Sequence, residues 1–310
     1  MNTVRLEKLL SHQQNILSKI ALGTALNDVL EDICLSIEEI IDDHSARCSI
    51  LSLMGEQLFH CAAPNISAEY SQLINGVHIG PKVGSCGTAA YSKTRVIVEN
   101  IETSPLWEDF KDLALGFGLK SCWSTPIIST QSKILGTFAI YHNVPKAPSS
   151  KDLELIDYFV HLSGIALEKN KNYLKTQQLI VDLQQSNEKF KAFTQVMPDL
   201  TFILDEDGKY IDIYGVSDES LHNSPNKLIS RNLNDLFSKN DALPIMAIIE
   251  KTLASNETQV FEYELDVKKG RVVFEGRTAP INDYQPDNPS KKHVVWIARD
   301  ITERKKTEKK

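Results

Sequence analysis

A single long helical segment in the middle of the chain sets its domain organisation. The segment begins after Pro148 with good helix-capping residues and extends to about residue 192. A leucine or valine recurs at every seventh position, at Leu153, Val160, Leu167, Leu174 and Val181. The companion heptad position is mostly polar and reads Ile156, Ser163, Asn170, Gln177 and Gln184. The pattern therefore predicts either a dimerising helix or a solvated spacer between two globular parts.

The hydrophobic period differs on the two sides of this segment. Before it, two helical stretches precede several short β-branched segments, a pattern that predicts helices packed on a central sheet. After Pro198 the period changes to two, and residues 205–208 are a strong hairpin signal. We therefore predict an α+β chain of two domains, each with a mostly antiparallel central sheet flanked by helices. The expected parts are an N-terminal helix at 1–19, domains at 20–168 and 193–303, a helical linker at 169–192, and the start of an exit helix at 304–310.

The net charge and the cysteine content limit the classes of partner and the kinds of site that we expect. The net charge of −7 argues against non-specific binding to nucleic acid, which needs a positive field. The five cysteines have no C-x-x-C spacing, so a disulfide framework or a zinc site is not expected. No apolar stretch is long enough to cross a membrane, and reduced thiols fit a cytoplasmic location. We expect no nucleic-acid partner, no membrane span and no bound metal.

Several ordered motifs in the first half resemble a GAF domain. They lie at 84–91, 96–101, 105–107, 118–127 and 134–141. Their order is similar to that of the GAF type found in bacterial sensors that feed histidine kinases or diguanylate cyclases. The resemblance implies a small-ligand pocket between the sheet and the loops over it. By this resemblance the candidate lining residues are Cys86, Trp107, Phe110, Cys122, Trp123, Thr125 and Phe138.

The second half resembles a PAS domain over residues 187–303. The most telling motif is Trp296–Lys305, in which a final strand ends in Asp-Ile-Thr and passes into a helix. The resemblance implies a cavity on one face of the sheet. Its candidate lining residues are Phe202, Leu204, Ile213, Tyr263, Arg277 and Trp296, with Arg277 as the group that would meet an anion.

The tandem predicts a cytoplasmic, non-catalytic signal-input module of a bacterial signal-transduction protein. A small ligand or a redox cue would act through dimeric linker helices on an output domain, such as a histidine kinase or a cyclic-di-GMP enzyme, beyond residue 310. The seventh-position residues Leu153 to Val181 are the predicted dimer and signalling contacts. Two alternatives stay open at this point. One is a GAF-type free methionine sulfoxide reductase that uses Cys86 and Cys122, and the other is a ligand-free dimerisation scaffold. No cofactor is required by the sequence, although a haem or a small metabolite is compatible with it.

Overall fold

The computed structural model describes residues 3–41, 43–196, 199–215, 228–267, 270–282 and 291–308. The chain divides into two units, Met1–Leu179 and Ile180–Lys310. Each unit is built around its own antiparallel sheet, which confirms the predicted fold class.

The described residues of the first unit include a six-stranded sheet, five helices that lie wholly within the unit, and one short 3₁₀ turn at Pro105–Trp107. Its helices are α1 (Thr3–Leu22), α2 (Leu26–Ile40), α3 (Ala68–Leu73), α4 (Gly84–Ser92) and α5 (Lys111–Gly116). Its strands are β1 (Arg47–Met54), β2 (Gln57–Ala62), β3 (Val77–His78), β4 (Val96–Val98), β5 (Ser121–Ile128) and β6 (Ile134–His142). The strand order is β3-β2-β1-β6-β5-β4, and every neighbouring pair is antiparallel.

This sheet separates two apolar cores, because successive side chains on a strand point to opposite faces. One core joins the sheet to α1, α2 and the long helix that follows β6, through residues such as Ile33 and Phe159. The other core lies under α4 and the loops around it, through residues such as Ala90 and Trp107. The second core surrounds the small pocket described below.

The long helix α6 runs from Ser150 to Val196. A reciprocal capping box starts it, since Asp152 accepts from the Ser149 N–H at 2.9 Å and Ser149 Oγ accepts from the Asp152 N–H at 3.3 Å. Its first part is buried against β5 and β6 through Ile156, Phe159 and Leu162. From residue 169 the helix is exposed almost throughout.

The predicted heptad therefore needs a correction. Leu153, Val160 and Leu167 pack into their own unit's core, so they do not form a free dimer face. Only Leu174 and Val181 of the five are exposed, at 58% and 43%. The physical reason is that a strand-packing helix and a coiled coil both place an apolar residue at every second turn.

The second unit holds a five-stranded sheet with the order β8-β7-β11-β10-β9. Its strands are β7 (Leu200–Asp205), β8 (Tyr210–Tyr214), β9 (Gln259–Val267), β10 (Gly270–Ile281) and β11 (His293–Asp300). Its helices are α7 (Leu233–Leu236), α8 (Lys239–Ser255) and α9 (Thr302–Glu308). The predicted hairpin is confirmed. The Asp205 carboxylate accepts hydrogen bonds from the backbone N–H groups of Asp207 and Lys209, and these bonds stabilise the turn between β7 and β8.

Candidate functional sites

A small pocket lies in the first unit between α4, the sheet and the loop after the 3₁₀ turn. Its cavity volume is about 30 Å³, and one water needs about 10–15 Å³ on this scale. The described lining residues are Leu51, Tyr70, Ile74, Val77, Val83, Gly84, Ser85, Cys86, Gly87, Trp107, Phe110 and Tyr141. None of these lining residues carries a formal charge at neutral pH, apart from Cys86 when its thiol is deprotonated. The pocket therefore suits a very small, uncharged molecule.

Two glycines let α4 approach this pocket closely. Gly84 begins the helix and has a φ of +56°, a conformation that residues other than glycine rarely adopt. A Cβ on Gly87 would lie 2.7 Å from the Val83 side chain, so no larger residue fits without a shift. The two glycines thus permit close packing at the start of α4.

A hydrogen-bonded chain fixes the first turn of α4 to the sheet. Trp107 Nε1 donates to Ser85 Oγ at 3.1 Å, and Ser85 Oγ donates to the Cys122 carbonyl at 3.1 Å. Ser85 and Trp107 are both buried, so each of these bonds satisfies a polar group that water cannot reach. The arrangement holds Cys86, the next residue on α4, beside Cys122 on β5.

The two thiols have opposite acidities. A hydrogen bond from Cys122 lowers the pKa of Cys86 to about 7, against the effect of burial, with help from the Tyr141 hydroxyl. Burial raises the pKa of Cys122, and its interaction with Cys86 raises it further. Cys86 Sγ also lies 3.7 Å from Tyr141 Oη. The pair therefore consists of one ionisable thiol and one proton-donating thiol.

The structure does not bring all seven predicted residues of the first unit together. Cys86, Trp107 and Phe110 line the pocket, and Cys122 lies behind Cys86 in the same core. Trp123 and Phe138 belong to the opposite core, on the side of α6. This is a correction with a simple cause, because Trp123 follows Cys122 directly on β5 and so points to the other face.

Thr125 is also misplaced by the prediction. Its hydroxyl accepts a hydrogen bond from Arg95 Nε at 2.9 Å, and Arg95 forms an ion pair with Asp157 on α6. Thr125 therefore fixes α6 to the sheet. Tyr70, Ser85 and Tyr141 were missed, although the alternation that places Cys122 on the pocket face also predicts an inward Tyr141 on the paired strand β6.

An apolar cavity lies in the second unit between the sheet and its helices. Its volume is about 50 Å³, which is space for a few atoms beyond a single water. The described lining residues are Leu200, Phe202, Leu204, Tyr210, Leu228, Leu233, Phe237, Ile245, Tyr263, Leu265, Val267, Phe274, Trp296 and Ala298. No charged side chain occurs among these described residues. The cavity therefore favours an uncharged, apolar molecule.

Tyr263 and Trp296 supply the polar group of this cavity. Trp296 Nε1 donates to Tyr263 Oη at 3.1 Å, and the two rings meet edge to face at 5.7 Å. Burial raises the pKa of Tyr263, so its hydroxyl stays protonated and can donate to a ligand acceptor. The predicted residues Phe202, Leu204, Tyr263 and Trp296 are thus found in one cavity.

Arg277 does not reach this cavity. Its side chain is 58% exposed and pairs with Glu275 at 3.1 Å. On β10 the inward positions are Val272, Phe274, Gly276 and Thr278, so Arg277 points outward by the period of two. Ile213 packs at the edge of the core and does not line the cavity. The prediction of an arginine for an anionic ligand is therefore wrong.

In each unit the strand that lines the pocket also leads to the exit helix. Tyr141 lies near the end of β6, which precedes α6. Trp296 and Ala298 lie on β11, which precedes α9. At this second exit, Thr302 Oγ1 accepts from the Val273 N–H at 3.1 Å, and Ile301 donates its N–H to the Val273 carbonyl at 2.9 Å. These bonds join the start of α9 to β10.

No described helix has the length and apolarity that a membrane crossing requires. Within the same residues, no cluster of three or more histidine, cysteine or acidic side chains has the arrangement of a metal site.

Comparison with known proteins gives two family matches. A GAF domain model matches residues 23–168, and a PAS fold model matches residues 194–306. A methyl sulfide methyltransferase-associated sensor of Methanosarcina acetivorans is 31% identical over 305 residues. That match covers 97% of this chain but only 29% of the relative, so the chain spans less than a third of the sensor's length.

Two solved structures are similar to parts of this chain at low sequence identity. The GAF domain of an Acinetobacter phosphoenolpyruvate-protein phosphotransferase is 17% identical, with a TM-score of 0.42, and the match covers 55% of this chain and 98% of that one. The PAS domain of an HTR-like protein of Haloarcula marismortui is 17% identical, with a TM-score of 0.34, and the match covers 40% and 99%.

Proposed function

We propose that this chain, which carries a GAF domain followed by a PAS domain, is a small-molecule-sensing input unit of a signal-transduction protein. A sensor-named relative and the two domain families support a sensory module. The unit acts by changing the position of its exit helices, and it carries out no chemistry on its ligand.

The observation that carries this proposal is the link between cavity and exit in the second unit. Trp296 and Ala298 line the cavity, and four residues after Ala298 the chain enters α9 at Thr302. A ligand that displaces Trp296 would strain β11, because interiors are close-packed and transmit displacement. The strain would reach the bonds that Val273 makes with Ile301 and Thr302.

The cavity also indicates the class of ligand. Its lining is apolar except for tyrosine hydroxyls, and Tyr263 can donate one hydrogen bond while accepting from Trp296. A small apolar molecule with one acceptor atom, such as a carbonyl or thioether group, satisfies these contacts. An anion does not, because the only predicted partner, Arg277, lies outside.

The signal would continue through paired helices. Along the exposed part of α6, apolar side chains recur with alternating spacings of four and three, as in one seam of a coiled coil. The seam consists of Leu179, Leu183, Phe190 and Phe193, with Ser186 at the remaining position, and the four apolar side chains are 50–71% exposed. Such a helix segment is stabilised when a second copy covers its apolar stripe. We propose a homodimer in the cytoplasm that acts on an output domain of the longer protein.

The test is native mass spectrometry of the purified chain with 2-butanone as the probe. We expect one molecule per chain to be retained in the unmodified protein and in Ala279→Leu, which adds the same bulk outside the cavity. Ala298→Leu should lose retention, since the added side chain fills the lining. Equal retention by both variants, or none by the unmodified chain with any small neutral carbonyl or thioether compound, would refute the cavity as the sensing site.

A further inference from the structure

The pair Cys86 and Cys122 differs from the other cysteines of the first unit because one of its members, Cys86, lines a described pocket. Cys86 lines the pocket of the first unit, whereas Cys122 is fully buried behind it. All five cysteines are free thiols in this structure. The two residues belong to the same core cluster, and Tyr141 lies beside both, because its hydroxyl is 3.7 Å from Cys86 Sγ and its backbone pairs with Cys122.

We propose that Cys86 and Cys122 form a reversible disulfide when a peroxide enters the pocket of the first unit. The pair is then an oxidation site inside the input unit. The inference goes beyond the proposed ligand in the second unit and depends on it only for the consequence to signalling.

Three features of the site favour Cys86 as the attacking sulfur. It lies in the first turn of α4, a helix of nine residues whose N-terminal dipole favours a negative charge. Hydrogen bonds from Cys122 and Tyr141 stabilise the thiolate and keep its pKa at about 7. The cavity of about 30 Å³ admits a molecule the size of hydrogen peroxide and excludes larger oxidants.

Both steps balance with hydrogen peroxide as the oxidant. The Cys86 thiolate attacks one peroxide oxygen, the O–O bond breaks and hydroxide leaves, so that the sulfur becomes a sulfenic acid and the peroxide is reduced. Cys122 then gives up its proton and its sulfur attacks the sulfenic sulfur. The S–O bond breaks, the S–S bond forms and water leaves. A dithiol such as dithiothreitol reverses the bond by thiol–disulfide exchange.

The position of Cys122 gives the disulfide a structural consequence. Its carbonyl already accepts from Ser85, so the backbones of α4 and β5 are held together before oxidation. The new bond would replace the Cys86 thiol, whose sulfur lies 3.7 Å from Tyr141 Oη on β6. Since β6 precedes α6, the oxidised pair would act on the exit of the first unit.

A second pair provides a matched control within the same unit. Cys34 and Cys48 also interact directly, and both are fully buried in the core on the other face of the sheet. Burial raises the pKa of Cys48, and neither residue lines any of the pockets described above. Proximity alone would oxidise both pairs, whereas access and acidity together favour Cys86 and Cys122.

The test is peptide mapping of the reduced chain after brief exposure to hydrogen peroxide and alkylation of the remaining thiols. We expect a dithiothreitol-reversible Cys86–Cys122 cross-link in the unmodified chain and in Cys34→Ser, and at least a tenfold loss of it in Cys86→Ser and Cys122→Ser. In Cys122→Ser, Cys86 should instead accumulate as sulfenic acid, trapped with dimedone. Circular dichroism would show that each variant is folded.

Three outcomes would overturn the proposal. They are no cross-link in the unmodified chain, a Cys34–Cys48 cross-link formed at the same rate, or dimedone labelling that is equal at Cys86 and at half-buried Cys61. Retention of 2-butanone, measured on the same samples, reports separately on the second unit. Failure of the disulfide and failure of the proposed ligand site are therefore distinguishable.

Discussion

Trp107 Nε1 donates a hydrogen bond to Ser85 Oγ at 3.1 Å, and both residues are buried. The Ser85 hydroxyl in turn donates to the Cys122 carbonyl. One serine therefore connects the loop over the pocket, the helix α4 and the strand β5. The pocket of the first unit keeps its shape through this residue.

Replacing Ser85 with alanine should destabilise the first unit. The Trp107 N–H and the Cys122 carbonyl would both lose a partner, and each buried unsatisfied group costs about 1–3 kcal/mol. We expect the free energy of unfolding to fall by about 2–4 kcal/mol, measured by urea unfolding followed by tryptophan fluorescence. Ser92→Ala on the exposed end of the same helix should change it by less than about 0.5 kcal/mol.

His142 should make the first unit sensitive to acid. Its ring is fully buried against Trp123 at 4.3 Å, and burial lowers its pKa to about 4 although Asp43 lies 3.4 Å away and opposes this shift. Lys146, paired with the same aspartate, adds to the lowering. Between pH 4 and the ordinary histidine pKa of about 6.5, the unfolded chain binds a proton that the folded chain does not.

The stability that neutral His142 provides is therefore present above pH 6.5 and is lost as the pH falls. Through this histidine alone we expect about 2 kcal/mol less stability at pH 5 than at pH 7. Urea unfolding at the two pH values measures it. His142→Gln should remove this contribution, whereas the similar contribution of His60, whose pKa burial also lowers to about 4, should remain. An unchanged difference in the variant would contradict the assignment.

Thr302 should hold α9 on the sheet. Its hydroxyl accepts from the Val273 N–H, so Thr302→Val removes a hydrogen bond worth about 1 kcal/mol. We expect about fivefold faster trypsin cleavage after Arg304 and Lys305, because α9 opens more often. Thr307→Val is the control, since that hydroxyl bonds only within α9, to the Glu303 carbonyl. Equal cleavage of the two variants would show that the bond to Val273 is not what holds the helix.

The exposed seam of α6 should govern self-association. Leu183→Glu places a charge on the most exposed seam residue, and burying it in a dimer would weaken association at least tenfold. Sedimentation velocity across a concentration series measures this. Gln184→Glu, one residue away and off the seam, should leave the dimer intact. A chain that stays monomeric at high micromolar concentration without any substitution would rule out the dimer.

The folds could be predicted from the sequence because their signals are local. The period of two after Pro198 and the hairpin at Asp205 place the strands of the second unit, and the capping sequence at Ser149 places the start of α6. Each of these signals lies within a few residues of the structure it specifies.

The sites were harder to predict, because face assignment depends on register. Trp123 and Phe138 sit in motifs that surround the pocket in sequence, yet they point to the core on the α6 side. Arg277 has the charge for an anion but lies on the outer face of β10. A shift of one position on a strand reverses the face, and only the sheet pairing fixes it.

The heptad failed for a related reason. Leu153, Val160 and Leu167 have the spacing of a dimer seam but pack on their own sheet, whereas the exposed seam from Leu179 to Phe193 is interrupted by Ser186. Spacing alone does not tell whether a helix stripe meets its own domain or another chain.

Ligand occupancy of the cavity in the second unit should alter the exit helix. Hydrogen exchange of the amides at 302–308, measured by mass spectrometry with and without saturating 2-butanone, reports on this coupling. We expect at least a threefold change in exchange rate in these residues, absent in Ala298→Leu and retained in Ala279→Leu. A change confined to the cavity strands, with α9 exchanging at the same rate in all samples, would show that the cavity is not coupled to the exit helix.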